Sequence, residues 1–235
     1  MAWQVRLLDM QAVILAAGRG SRMGALTDSM PKPLLEVNGK SLLEYKFDSL
    51  PYDVDEVIII VGYQGHLIQQ RFGGEHKGKR VLYVEQENPK GGTAEAVWKA
   101  ESILKDKFLV MNGDNIYATE DLSKCAVFDW AVLVQKRDHI GTGRVIVNEG
   151  GLVTGIVENS AHEGQAGYAN TGCYMLDRRF FNYKPIPKAE GSTELGLPQT
   201  MMQAVNDIQI QAVEARMWIE IKSAEDLLKA EALLK

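Results

Sequence analysis

Cysteine is nearly absent from this chain: Cys125 and Cys173 are the only two in 235 residues, far apart and in no metal-ligand spacing. A disulfide framework is therefore not expected, and buried free thiols in a reducing cytoplasm are the expected state. Histidine is almost as sparse. His66, His76, His139 and His162 are scattered without zinc spacing, so none is assigned to chemistry. No apolar run approaches a membrane span, and the first ten residues lack the apolar stretch of a signal peptide. Positive charge is not in excess either. A formal net charge of -5 lacks the electrostatic footprint of a nucleic-acid binder, so a phosphorylated ligand must be held by local features.

What remains is an ordinary globular composition, 46% hydrophobic and 24% charged, with enough length for one large α/β domain. Apolar runs at Gln11–Ala16, Glu56–Val61, Arg80–Val84 and Lys107–Met111 read as buried parallel strands. Helical spacing appears at Ser41–Leu50, Gly65–Phe72 and Thr93–Leu104. Repeated βα units of this size predict a mixed, mainly parallel sheet with right-handed crossovers and helices on both faces, a three-layer α/β fold. Ligands of such sheets bind at the carboxyl ends of the strands. After Asp129 the rhythm changes to hairpin-linked strands at Trp130–Gln135, Arg144–Val147, Leu152–Val157 and Ala169–Leu176. The polar stretch Asn159–Gly167 reads as a mobile loop. Helices are expected at Glu194–Val205 and Ala224–Leu234, flanking a strand at Gln209–Val213. One domain over residues 10–235 is the economical reading, with residues 1–9 an extension of no assigned role.

The most informative stretch is LAAGRGSRMGALTDSMPKPLL, Leu15–Leu35. A strand ends, glycines at 18, 20 and 24 let backbone approach a ligand, and Arg19, Arg22 and Lys32 lie within or just beyond the loop. Backbone N–H groups and cations facing one volume make a polyphosphate cradle. A Walker A motif is absent, and the G-x-G-x-x-x-G spacing is not a clean dinucleotide fingerprint.

With its LAAG-x-G-(S/T)-R-M…PK-(P/V)-L pattern the chain resembles the sugar-1-phosphate nucleotidyltransferase family. The likeness continues through GGTAEAV at 91–97, NGDN at 112–115, GTGR at 141–144, VTGIVE at 153–158, NTGCY at 170–174 and WIEIKSAEDL at 218–227. These blocks follow the family order across nearly the whole chain. From Gly141 to Tyr174 the chain looks most like the uridylyltransferase domain of N-acetylglucosamine-1-phosphate uridylyltransferases. The resemblance implies a Rossmann-like, GT-A-like fold: a nucleotide-binding half over residues 10–128, an antiparallel sugar-binding part over 129–222 and a C-terminal helix over 223–235. It implies condensation of a nucleoside triphosphate with a sugar 1-phosphate, with Mg²⁺ as cofactor, and homo-oligomers as the common assembly.

Residue by residue, the resemblance implies that Arg22 holds the triphosphate and stabilises departing pyrophosphate, while Lys32 bridges the α-phosphate and the sugar phosphate. Asp114 after the strand FLVM is the implied metal ligand. Glu220 in MWIEI stands where the family usually has Asp or Asn, its extra methylene displacing the oxygens. Ala16, Ala17, Gly18, Arg19, Gly20 and Ser21 would border the nucleotide, with Gln86, Gly91, Gly92 and Thr93 at the base. Gly143, Glu158, Asn170 and Thr171 would contact the sugar, and Tyr174 is read as core packing. Hexose-specific members have lysine after the glutamate, but position 159 is Asn here, as in the N-acetylglucosamine type. Met10, Met23, Met30 and Met111 read as packing. Two alternatives stay open: a cytidylyltransferase acting on phosphocholine or on an inositol or polyol phosphate, and a non-catalytic nucleotide-sugar-binding subunit.

Overall fold

In a computed structural model that describes residues 10–141, 143–158 and 164–234, the chain alternates short strands and helices before turning to antiparallel strands. Chain order begins with β1 (Met10–Leu15), the small hairpin β2 (Glu36–Val37) and β3 (Lys40–Ser41), α1 (Leu42–Ser49), β4 (Val54–Val61) and α2 (Gly65–Phe72). Next come β5 (Glu75–His76), β6 (Lys79–Glu85), α3 (Gly92–Lys99), β7 (Lys107–Asn112), β8 (Asn115–Tyr117) and α4 (Thr119–Ala126). The second half holds β9 (Ala131–Arg137), β10 (Arg144–Val147), β11 (Val153–Val157), β12 (Gly167–Asp177), α5 (Leu197–Met202), β13 (Gln211–Glu214), β14 (Trp218–Glu220) and α6 (Ala224–Leu233).

A ten-stranded mixed sheet organises these elements. β7, β1, β4 and β6 lie side by side and parallel, and the long β12 runs antiparallel to β7, β9 and β10. Strand alternation divides the interior into two cores, one on each face. Ala12, Ile14, Val57, Ile59, Leu109 and Met111 enter one; Val13, Ile58, Ile60, Phe108 and Val110 enter the other. Each such fully buried large side chain contributes roughly 1.5–3 kcal/mol. A third cluster of Met23, Leu35, Leu42, Ile116, Ile221 and Ala230 seats the glycine loop against the β8–β14 ribbon and α6.

The early elements fall where the apolar runs place them. Ser41 caps α1 through a capping box with Glu44, its Oγ accepting from Glu44 N at 3.2 Å. The helix expected over Thr93–Leu104 ends at Lys99 and continues only as a 3-10 turn at Glu101–Ile103. The one expected over Glu194–Val205 shrinks to Leu197–Met202, because Gly196 is extended and Pro198 belongs in a first turn. The last expected strand lies slightly later, at Gln211–Glu214. Met30 is exposed rather than packed. Residues 1–9, His162 and the 159–163 part of the expected loop lie outside the described residues.

Candidate active site

A cleft of about 610 Å³ opens at the carboxyl ends of β1, β6 and β7. Ala16, Ala17, Gly18, Gly20, Ser21 and Arg22 line it from the loop after β1, and Gln86 from beyond β6. Gly20 sits at φ +69°, and a Cβ there would lie 2.9 Å from Lys32 Cβ. Glycine thus lets Lys32 pass close beneath the loop, where its side chain is 10% exposed and its Nζ donates to Asp114 Oδ2 at 2.6 Å. Arg22 has no hydrogen-bond or ion-pair partner among the described residues, so its guanidinium is free to meet a polyphosphate.

Asp114 leaves β7 on a turn, and β14 brings Glu220 alongside it. Glu220 registers with Asn115 across the ribbon, and Ile221 N donates to Asp114 O at 3.1 Å. The approach to β14 is fixed by Asp121 of α4, fully buried, whose Oδ2 accepts from Arg216 N at 2.7 Å and Met217 N at 3.1 Å. Glu220 Oε2 pairs with Lys222 Nζ at 2.8 Å. Each of the two carboxylates is therefore balanced by an ammonium group. Magnesium takes one or two protein carboxylates and completes its shell with phosphate and water. Asp114 and Glu220 fit that demand. No group of three or more candidate ligands exists among the described residues, so such an ion would depend on substrate oxygens as well.

The opposite wall shows strict two-residue periodicity. Asn170, Gly172 and Tyr174 of β12 line the cleft with Gly143 and Glu158. Thr171 does not: it is buried, and its Oγ1 donates to Leu133 O at 2.6 Å, pointing into the core. Adjacent strand residues face opposite ways, so Asn170 and Thr171 cannot share one ligand. Asn170 is oriented by Tyr174, its Nδ2 donating to the phenol oxygen at 2.7 Å, and by Gly172 N. Tyr174 is both packed and cleft-lining, and burial holds its phenol well above the ordinary range. Glu158 Oε2 accepts from Gln199 Nε2 at 3.2 Å.

Gly92 and Thr93 line the cleft from the start of α3, whereas Gly91 lies behind them. Gly92 has φ +81°, and a Cβ would collide with the Leu195 backbone. Leu195 and its neighbours clamp the helix start: Ala94 N donates to Leu195 O at 3.0 Å and Leu197 N to Thr93 Oγ1 at 2.9 Å. This brings Lys188, Glu194, Leu195, Gly196 and Pro198 into the lining, none of them anticipated from sequence. Lys222 was also missed, although its position two residues after Glu220 was a usable signal. Arg19 points away, stacking on Tyr63 at 5.3 Å and pairing with Asp28 at 3.8 Å.

Behind the Lys32–Asp114 pair lies Lys46 of α1, fully buried, with no hydrogen-bond partner for Nζ. Its ammonium sits 4.7 Å over the Tyr117 ring. Desolvation, partly offset by the Asp114 charge, pulls its pKa down to about 7.

The family model described as Nucleotidyl transferase matches residues 11–235. A UTP–glucose-1-phosphate uridylyltransferase of Haloferax volcanii is 29% identical over 237 residues, covering 96% of this chain and 97% of that one. The bifunctional protein GlmU of Methanococcus maripaludis is 28% identical over 226 residues, covering 94% of this chain but 53% of its own length. The chain thus spans about half the length of that relative. Among solved structures, the inositol-1-phosphate CTP transferase of T. maritima superposes with a TM-score of 0.76 at 23% identity, covering 94% of both chains. With a family match over nearly its full length and the same α/β fold as solved nucleotidyltransferases, the chain belongs to the nucleotidyl transferase family.

Proposed function

We propose that the chain condenses a nucleoside triphosphate with a sugar 1-phosphate, giving a nucleotide sugar and pyrophosphate. The observation that carries this reading is one cleft lined together by the glycine loop, the Lys32–Asp114 pair and the wall of Gly143, Glu158 and Asn170. Two substrates entering from those sides meet at the buried ammonium. An oxygen of the sugar phosphate then attacks the α-phosphorus in line; the new P–O bond forms as the bond to pyrophosphate breaks. Arg22 holds the triphosphate and neutralises the departing pyrophosphate. Lys32, fixed by Asp114 and by packing under Gly20, bridges the α-phosphate and the incoming phosphate. Asp114 and Glu220 would hold Mg²⁺, which when bound neutralises developing charge on the phosphoryl oxygens. Glu158, Asn170 and the backbone at Gly143 take the sugar's hydroxyl or acyl groups.

Gln86 favours an imide base. Its Nε2 donates to Gly92 O at 3.0 Å, which leaves Oε1 to accept. Uracil and thymine offer an N3–H to that oxygen, whereas cytosine has an acceptor at N3 and a donor only at its exocyclic N4 amine. UTP or dTTP is therefore the proposed donor. Two buried free thiols accord with a cytoplasmic location.

The test pairs UTP, dTTP, CTP and GTP with glucose 1-phosphate, N-acetylglucosamine 1-phosphate, phosphocholine and inositol phosphate in Mg²⁺, and identifies the nucleotide product by chromatography. A uridine or thymidine sugar is the expected product. A cytidine product with phosphocholine or inositol phosphate alone would replace this substrate assignment with the cytidylyltransferase alternative.

A further inference from the structure

Among the described residues, the wall proposed to receive the sugar carries a carboxylate, Glu158, and neutral groups at Gly143, Asn170 and Tyr174, but no cation. A phosphate dianion entering there meets Lys32 at the junction with the triphosphate, and a second positive partner must come from elsewhere. Lys32, paired with Asp114, already serves both substrates at their junction. Lys188 is paired with Glu194 across its own hairpin, and no step of the reaction draws Glu194 away. Lys222 is a further cation in the cleft lining, paired at 2.8 Å with Glu220 rather than with the junction carboxylate Asp114.

The backbone under Lys222 is fixed while its side chain remains free to turn. Ile221 is fully buried, Ile221 N donates to Asp114 O at 3.1 Å, and Lys222 N donates to Asp226 Oδ2 at 2.8 Å. The side chain is 44% exposed and lines the cleft. Glu220 ends β14 and Lys222 follows two residues later, and both side chains line the cleft.

We propose that Lys222 is a second cation for the acceptor phosphate beside Lys32, paired with Glu220 in the empty protein and turning to the sugar phosphate when it binds, an exchange that a metal held by Glu220 would favour. This rests on the nucleotidyltransferase reading above. The pairing with Glu220 keeps the cleft close to neutral before substrate arrives. A flexible ammonium is suited to such a transfer, since it binds phosphate as a mobile point charge.

The experiment compares wild type with Lys222→Met and Lys222→Arg, using Mg²⁺, UTP and glucose 1-phosphate, with N-acetylglucosamine 1-phosphate in parallel. Unfolding temperature verifies that each variant is folded. Calorimetric titration with UDP-glucose and with UTP supplies a readout independent of turnover. In K222M the KM for sugar phosphate and the Kd for UDP-glucose should rise about 10- to 100-fold, the effect of losing one charge-assisted hydrogen bond. The KM and Kd for UTP should change less than about threefold, and K222R should recover most of the loss. An unchanged acceptor KM in K222M, or a loss falling on UTP and on the Mg²⁺ requirement, overturns the proposal and leaves Lys222 a counter-charge for Glu220. Wild type that forms no product with any acceptor overturns the underlying reaction instead, and this inference with it.

Discussion

Lys46 shows how one residue can cost stability without touching substrate. Its ammonium is buried with no hydrogen-bond partner and faces the Tyr117 ring, with the charges of Asp114 and Lys32 and the Cys173 thiol nearby. In the folded protein it titrates at about 7, against an ordinary 10.5. Between those values the unfolded chain binds a proton that the folded chain does not, so stability rises with pH across the window. Below pH 7 both states carry the proton and the full penalty, on the order of several kcal/mol, is present. Lys46→Met should therefore raise the urea midpoint most near pH 6, with the gain shrinking toward pH 10. A gain independent of pH would mean that the amine is neutral or hydrated throughout. The two neighbours on β12 should separate cleanly as well. Thr171→Val should lower the unfolding temperature through loss of the bond to Leu133 O while leaving the sugar-phosphate KM near wild type. Asn170→Ala should raise that KM about tenfold, since its amide faces the cleft. Steady-state kinetics on both variants checks the assignment, and the reverse pattern would contradict it.

Among the elements, the β8–β14 ribbon is the most consequential and the least visible in sequence. Three-residue strands give no periodicity to read, and their pairing joins positions about a hundred residues apart. Its alignment depends on Asp121, whose carboxylate takes two consecutive backbone N–H groups just before β14. Asp121→Ala should cost about 2–4 kcal/mol and raise the Mg²⁺ concentration for half-maximal turnover several-fold, because Glu220 loses its register. Denaturation and a metal titration measure the two effects, and an unchanged Mg²⁺ requirement would separate β14 from the metal. Longer elements were legible: after Glu56 the run VIIIV has no polar position and could only be a buried strand. The glycine loop was legible too, because Gly20 and Lys32 belong to one motif. The helix expected from Glu194 was misplaced because the Gly196–Leu197–Pro198 sequence breaks the helical pattern and frees a hairpin to clamp α3. Lys188 enters the cleft through that hairpin, and a lone lysine in a loop carries no local signal of it.

The whole molecule uses its sheet as a partition. Two apolar cores pack against its faces, and the polar groups of the cleft gather at the carboxyl ends of the parallel strands, where chain turns concentrate Lys32, Asp114, Gln86 and Gly92. A net charge of -5 gives no long-range pull on polyanions, so local pairing within the cleft must supply their binding. The central claim is that two phosphates meet at the Lys32–Asp114 pair, and pyrophosphate release reports it most directly. Purified protein with Mg²⁺, UTP and the preferred sugar 1-phosphate should release pyrophosphate in step with nucleotide sugar. Asp114→Ala and Lys32→Met, each shown to be folded, should each fall by about a hundredfold or more in kcat. Either variant turning over at the wild-type rate, or a folded wild type that releases no pyrophosphate with any acceptor, would contradict the account.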